Sequence, residues 1–140
     1  MTVAAISGVG FVFKRGDGTS AETFTAIAEI NSFSGPGMSR AFIDVTSLDS
    51  TGGYKEFIGG FRDGGQIQLN MNFTLAGYVQ MLADFEDDDA VNYQVVFPDA
   101  GATTLDLAAF VTDLPAAVAP EEKITITVTL KVTGPIVLTS

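Results

Sequence analysis

Two segments of this chain alternate strictly between apolar and polar side chains, and this pattern constrains the fold more than any other. Residues 66–73 read QIQLNMNF, and residues 123–132 read KITITVTLKV. Successive side chains of a β-strand point to opposite faces of the sheet, so a period of two predicts one buried face and one polar face. Both segments are therefore predicted to be strands of a sheet that covers a core on one side.

Further segments rich in β-branched and aromatic residues lie between turn residues, as short strands do. They are residues 8–14, 23–33, 40–48, 92–99 and 103–114. No internal repeat or linker divides the chain. We therefore expect a mainly β fold, a β-sandwich or barrel of about seven strands with one α-helix, in a single domain over residues 1–140.

The helix candidate is residues 74–85, TLAGYVQMLADF. Thr74 is a residue type that caps helix N-termini. Spacings of three and four residues place five apolar side chains on one stripe: Leu75, Tyr78, Val79, Leu82 and Phe85. The acidic run at residues 86–89 is expected to end the helix, because the helix dipole disfavours negative charge at its C-terminus.

Residues 49–65, DSTGGYKEFIGGFRDGG, combine six glycines with large apolar side chains. Glycine offers no packing surface and favours turns, so we expect a long loop here rather than a buried strand. The apolar side chains that need covering are Tyr54, Phe57, Ile58 and Phe61. Two interpretations remain open: the loop folds back onto its own domain, or it inserts into a neighbouring subunit, since exposed apolar clusters mark interfaces.

The composition argues against several classes of function. The chain has neither cysteine nor histidine, which removes thiolate nucleophiles, common zinc ligands and the commonest general base. We expect no enzyme activity, catalytic residue, metal site or cofactor. A net charge of −10, with 7 scattered basic residues against 17 acidic ones, disfavours tight DNA binding. No apolar run approaches the roughly 18 residues of a membrane helix, so no membrane partner is expected.

Short motifs follow one another in order along nearly the whole chain. In the first half they are KRGDGT (14–19), FTAIAE (24–29), GPG (35–37), IDVT (43–46) and DSTGGY (49–54). In the second half they are FI (57–58), GG (64–65), FP (97–98), FV (110–111) and VTLKVTG (128–134). Together they resemble the major tail tube proteins of siphophage (lambda-like) tails, a family also found in prophage and gene-transfer-agent tails.

The resemblance implies a structural subunit that assembles with itself. Such proteins form hexameric rings whose β-sheets join into one β-barrel, and the rings stack into a tube that holds the tape-measure protein and conducts DNA. A stacking loop at about residues 49–65 would reach the next ring through Tyr54, Phe57, Ile58 and Phe61. An N-terminal arm at about 1–12, which lacks signal-peptide features, and a C-terminal tail at about 134–140 would add ring-to-ring contacts.

The same resemblance implies partners and a location. The partners are further copies of the chain, the tape-measure protein, the tail-tip initiator and the tail terminator, with DNA as a transient passenger. The location is the tail of a virion or phage-like particle, assembled in the cytoplasm of a bacterial host.

The channel wall must let DNA pass without binding its phosphates. The candidate lumen-facing residues are the polar face of the first alternating strand: Gln66, Gln68, Asn70 and Asn72. These are uncharged amides, whereas acidic side chains are expected on a lumen strand. Either the amides form a neutral wall or the lumen charge comes from another element.

Two other functions are consistent with parts of the pattern. A monomeric secreted or surface β-sandwich that binds a ligand requires that the loop at 49–65 fold onto its own domain. A small hydrolase that uses carboxylates requires a cleft that brings acidic residues together.

Overall fold

The computed structural model describes residues 7–18, 22–27 and 29–139, and this part of the chain contains ten strands and one α-helix. Residues 1–6 of the expected N-terminal arm and residue 140 of the expected tail lie outside it. The elements are β1 (Val12–Gly16), β2 (Phe24–Ala26), β3 (Ile30–Ser34), β4 (Ser39–Asp44), β5 (Phe57–Asp63), β6 (Gln66–Asn72), α1 (Leu75–Glu86), β7 (Val91–Val96), β8 (Thr104–Asp113), β9 (Ala116–Ala117) and β10 (Thr125–Thr139). The prediction of a mainly β fold with one α-helix is confirmed.

Eight strands form one antiparallel sheet. Its order is β2-β1-β7-β8-β10-β6-β3, and the short β9 pairs with the start of β10. The other two strands, β4 and β5, pair only with each other within the described residues. The strand count exceeds the predicted seven because the predicted strand at 23–33 divides into β2 and β3, and because β5 and β9 form where no strand was predicted.

The two alternating segments form adjacent central strands, as their pattern predicts. In β6 the buried residues are Ile67, Leu69 and Met71, and in β10 the alternation buries Ile126 and Val128. They belong to one core cluster that also includes Phe13, Tyr93, Val95 and Leu107. Fully burying each aliphatic side chain contributes about 1.5–3 kcal/mol.

The sheet curls so that its first and last strands lie close together. Phe13 of β1 and Phe33 of β3 have ring centroids 5.7 Å apart, although four strands separate β1 from β3 in the sheet. The chain also passes from the end of β2 to the start of β3 in four residue steps, which span at most about 14 Å. The curled sheet therefore encloses the core.

The predicted strand at 23–33 is two strands at opposite edges of the sheet. After β2, the Ile27 amide donates a backbone hydrogen bond to the Phe13 carbonyl of β1 at 2.8 Å, and the Ile27 side chain is buried. The chain then turns at Glu29 before β3 begins. Glu29 has a positive φ of 61°, a conformation that interrupts a strand. The alternation of apolar residues continues across this break, which is why the sequence suggests one strand.

The expected C-terminal tail is a continuation of β10. Gly134 and Pro135 follow the second alternating segment; the register against β8 shifts here, and pairing resumes with Val137 opposite Asp106. The strand therefore bends here and continues to Thr139. Glycine and proline are common at such bulges.

The helix forms where it was predicted, but its orientation differs from that of a simple amphipathic helix. The Thr74 hydroxyl accepts a hydrogen bond from the Gly77 amide at 3.1 Å, as an N-cap does. The buried residues of α1 are Met81 and Asp84. Four of the five stripe residues are exposed: Leu75, Val79, Leu82 and Phe85.

A buried ion pair accounts for this orientation. The Arg15 guanidinium of β1 donates to both oxygens of Asp84, at 2.7 and 2.5 Å, and the Tyr93 hydroxyl of β7 donates to Asp84 at 2.7 Å. The hydrogen bond and charge of Asp84 raise the pKa of Arg15, while burial and the nearby carboxylate raise the pKa of Tyr93. Both groups therefore stay protonated, and they hold this side of α1 against the sheet.

We expect Asp84→Asn to destabilise the monomer, because the substitution leaves the Arg15 guanidinium without an anion. The loss in the free energy of unfolding should be about 3 kcal/mol, the lower end for a broken buried pair, since a quarter of the Arg15 side chain is exposed. Urea unfolding at low protein concentration measures it. The exposed Asp88→Asn control should change stability by less than about 0.5 kcal/mol. Equal unfolding midpoints for the two variants would contradict this account.

Candidate assembly surfaces

The first candidate surface is the hairpin of β4 and β5, which extends away from the core; we call residues 39–63 the arm. Every residue of β4 is exposed, and every residue of β5 except Gly60 is exposed. The sequence predicted a loop at 49–65, but Phe57–Asp63 is a strand of this hairpin. Its glycines are compatible with a strand here because no side chain is needed to fill a core.

The root of the arm is fixed to the body. Asp63 forms an ion pair with Lys131 of β10 at 3.0 Å, and the Val132 amide donates to the Gly65 carbonyl at 3.0 Å. Gly65 has a positive φ of 74°, and a Cβ there would collide with the backbone of Gly37 at the other root. Only glycine allows the two roots to approach this closely.

Both faces of the arm are apolar. Ile43 and Ile58 lie directly opposite each other in the ladder, and paired residues share a face. Phe42 and Phe57 lie on the other face, with ring centroids 6.4 Å apart. A hairpin that carries apolar side chains on both faces can bury them only between two surfaces, and residues 7–18, 22–27 and 29–139 supply neither.

The tip of the arm has its own hydrogen bonds. The Thr46 hydroxyl accepts from the Glu56 amide at 2.7 Å, and the Ser50 hydroxyl accepts from the Ser47 amide at 3.0 Å. Hydrogen bonds from Thr46 lower the pKa of Asp44. The arm therefore has a defined shape before it meets a partner.

The four residues predicted to make contacts all lie exposed on the arm: Tyr54, Phe57, Ile58 and Phe61. Phe61 is the most exposed of them, at 94%. Four further apolar side chains of the arm are exposed, although they were not among the predicted contact residues: Phe42, Ile43, Val45 and Leu48. Their neighbourhood of Arg, Asp and Ser residues was a signal that β4 lacks a buried face.

The second candidate surface is the outward face of the sheet at β3, β6 and β10. All four predicted amide residues point away from the core, with Gln66 and Gln68 exposed and Asn70 and Asn72 half-buried. Their partners in β10 are mostly threonines, and their partners in β3 are serines: Thr125, Thr127, Thr129, Ser32 and Ser34. We call this uncharged surface the amide–hydroxyl face.

The two lysines beside the amide–hydroxyl face are bound to neighbours. Lys131 lies opposite Gln66 and pairs with Asp63. Lys123 donates to the Asn31 side chain at 3.3 Å, and Asn31 donates to Asn72 at 2.9 Å. The face therefore presents hydrogen-bonding groups without a cluster of cations that would hold phosphates.

The described residues contain no cluster of side chains that could hold a metal ion. Within residues 7–18, 22–27 and 29–139, no three acidic side chains converge on a point where a metal ion could bind. Tyr93, whose pKa is raised, donates its hydroxyl to Asp84 and so belongs to the buried ion pair. In this part of the chain no helix combines the length and apolarity needed to cross a membrane.

Comparisons with known proteins identify the fold. The tail of an empty gene-transfer-agent particle, refined with C6 symmetry, contains a chain with a TM-score of 0.81 and 24% identity, covering 97% of this chain and 100% of that one. A chain in a native gene-transfer-agent virion has a TM-score of 0.78 and 22% identity, with the same coverage of both chains. A chain in the sheath–tube complex of an extracellular contractile injection system has a TM-score of 0.70 and 14% identity, covering 98% of this chain and 93% of that one. No curated protein matches the sequence.

The family model of the lambda phage tail tube protein matches residues 11–139, nearly the whole chain. This match includes the arm, the amide–hydroxyl face and the buried ion pair. The chain belongs to the lambda phage tail tube protein family.

Proposed function

We propose that this chain is the structural subunit of a bacteriophage-type tail tube and assembles with itself into stacked hexameric rings. The observation that carries the proposal is the arm, a preformed hairpin with exposed apolar side chains on both faces. Family membership and the similarity to a C6-symmetric tail support it. The role is structural rather than enzymatic.

Ring formation joins the sheets of neighbouring subunits side by side. Within the described residues the edge strand β3 pairs only with β6, and β2 pairs only with β1, so both edges of the main sheet have backbone groups without a strand partner there. Such edges favour pairing with another strand, and closure around a ring removes them. Six curled sheets then form one continuous barrel around the channel.

Ring stacking places the arm in the adjacent ring. There Tyr54, Phe57, Ile58 and Phe61 exchange water for apolar neighbours, which is favourable in proportion to the apolar area buried. The N-terminal segment at about residues 1–12 and the C-terminal segment at about 134–140 add contacts between rings. In the monomer residues 137–139 of the latter pair with β8.

The amide–hydroxyl face lines the channel through Gln66, Gln68, Asn70 and Asn72. Amides and hydroxyls form no ion pair with phosphate, and a subunit charge of −10 repels DNA within the roughly 8–10 Å over which salt leaves charge unscreened. The neutral wall holds the tape-measure protein before ejection and conducts DNA afterwards. The tail-tip initiator and the tail terminator bind the two ends of the tube, which is assembled in a bacterial cytoplasm.

The alternative of a monomeric ligand-binding module is not favoured. It requires that the segment at 49–65 fold back onto its own domain and cover its aromatic side chains. Tyr54 and Phe61 are instead 77% and 94% exposed.

We expect Phe57→Asp to block stacking while the monomer remains folded, because the side chain is exposed in the monomer and would carry a charge into an apolar contact. Negative-stain electron microscopy should show no tubes at concentrations where the unaltered chain forms them. The matched control, Phe57→Leu, should still give tubes. Tubes of normal length from Phe57→Asp would show that this side chain lies outside the ring contact.

We expect Gln68→Lys with Asn70→Lys to leave tube assembly intact and to slow DNA ejection, because the added cations attract phosphates in the channel. The measurement is the rate of DNA release from triggered particles, compared with a Gln68→Thr, Asn70→Thr control. The slowing should weaken at high salt. Normal release from lysine particles that contain full-length tubes would place this face away from the channel.

A further inference from the structure

Helix α1 has an apolar surface that nothing in the described part of the chain covers. Leu75, Val79, Leu82 and Phe85 form a helix stripe about 120° wide at 100° per residue, and each is exposed, Leu75 to 72%. The ion pair at Asp84 directs the opposite side of the helix to the sheet. Four large apolar side chains on one face of a helix mark a contact surface.

The helix stripe lies on the opposite side of the sheet from the amide–hydroxyl face. Helix α1 packs through Met81 onto the core, whereas the amides of β6 point away from that core. If the amides line the channel, the helix stripe lies away from it, among neighbouring subunits or at the outer surface. Stacked rings repeat this apolar surface many times, so it requires a cover that repeats equally.

An acidic run continues directly from the helix stripe. Glu86, Asp87, Asp88 and Asp89 are consecutive and exposed. The ion pairs found within the described residues are Arg15–Asp84 and Lys131–Asp63, so this run has no cation bound to it there. The combined surface is apolar along one side of α1 and strongly negative at its C-terminal end.

The arm has complementary properties. Its three cations, Arg40, Lys55 and Arg62, form no ion pair within the described residues, and four acidic residues accompany them on the arm. Arg40 and Arg62 lie opposite each other at the root, where Asp63 is paired with Lys131, whereas the other three acidic residues lie nearer the tip. Its strands are about 20 Å long, and the helix stripe rises about 15 Å from Leu75 to Phe85. The arm therefore matches the helix stripe in length and apolar character, and the arginine pair at its root is opposite in charge to the acidic run.

We infer that the helix stripe and the acidic run of one copy are the docking site for the arm of a second copy. One apolar face of the arm packs on Leu75, Val79 and Leu82, and the arginine pair at the root of the arm approaches the acidic run. The arm of the same copy does not fill the site, since its apolar side chains are exposed in the monomer. This inference rests on the proposed function and names the surface that the arm meets in the tube.

The first test places charges on the helix stripe. We expect Val79→Asp with Leu82→Asp to raise the protein concentration needed for tubes by tenfold or more. The matched control, Ala76→Asp with Gln80→Asp, adds the same charges to exposed positions of the same helix outside the stripe and should change that concentration less than twofold. Equal effects of the two variants, or normal tubes from the stripe variant, would overturn the inference.

The second test asks whether the arm is the occupant. Because the chain has no native cysteine, every disulfide that forms must come from the engineered cysteines. Val79→Cys combined with Phe57→Cys, and separately with Ile58→Cys, tests both faces of the arm. Oxidised tubes of at least one pair should give a ladder of covalent multimers on a non-reducing gel, whereas each single variant should give dimers at most.

The outcomes distinguish this inference from the proposed function. Tubes that form normally but give no ladder with either pair overturn only the inference, and the helix stripe then meets another part of the subunit or another tail protein. If the unaltered chain forms no rings or tubes even with a tail-tip complex, the proposed function fails, and the inference fails with it.

Discussion

The carboxylate of Asp84 determines which side of α1 packs on the sheet and which side is exposed. It accepts hydrogen bonds from Arg15 of β1 and Tyr93 of β7, so it joins the helix to two neighbouring strands of the sheet. A buried carboxylate needs such partners, because an unpaired charge in the interior costs several kcal/mol. Because Asp84 must reach these partners, its side of α1 faces the sheet and the helix stripe faces outward. The same interaction therefore stabilises the monomer and exposes a surface for assembly.

The polar and apolar surfaces of the subunit are separated in a way that suits a tube. The core is closed by a curled sheet, and the convex side of that sheet bears amides and hydroxyls whose neighbouring lysines are already bound. The exposed apolar side chains are concentrated on the arm and on α1. A subunit with a charge of −10 is repelled by its copies, so contacts between rings require apolar burial together with locally opposite charge.

Much of the body could be predicted from sequence because strict alternation determines which face of a strand is buried. This held for β6 and β10, and the Thr74 cap likewise marked the start of α1. The outward direction of the helix stripe could not be predicted, because Arg15, which forms the ion pair with Asp84, lies 69 residues away in the chain. The division of 23–33 into two edge strands depends on the curl of the whole sheet. The exposure of Tyr54, Phe57, Ile58 and Phe61 agrees with a contact role for the arm, but that role depends on a second subunit and stays a proposal.

The most direct test of this account is a cryo-electron microscopy reconstruction of the tubes formed by the concentrated protein, seeded with a tail-tip complex where needed. The account requires six-fold rings in which the arm of each subunit lies against a subunit of the adjacent ring and the amide–hydroxyl face lines the channel. Rings in which the arm folds onto its own subunit, or a preparation that stays monomeric with the tail-tip complex present, would contradict it.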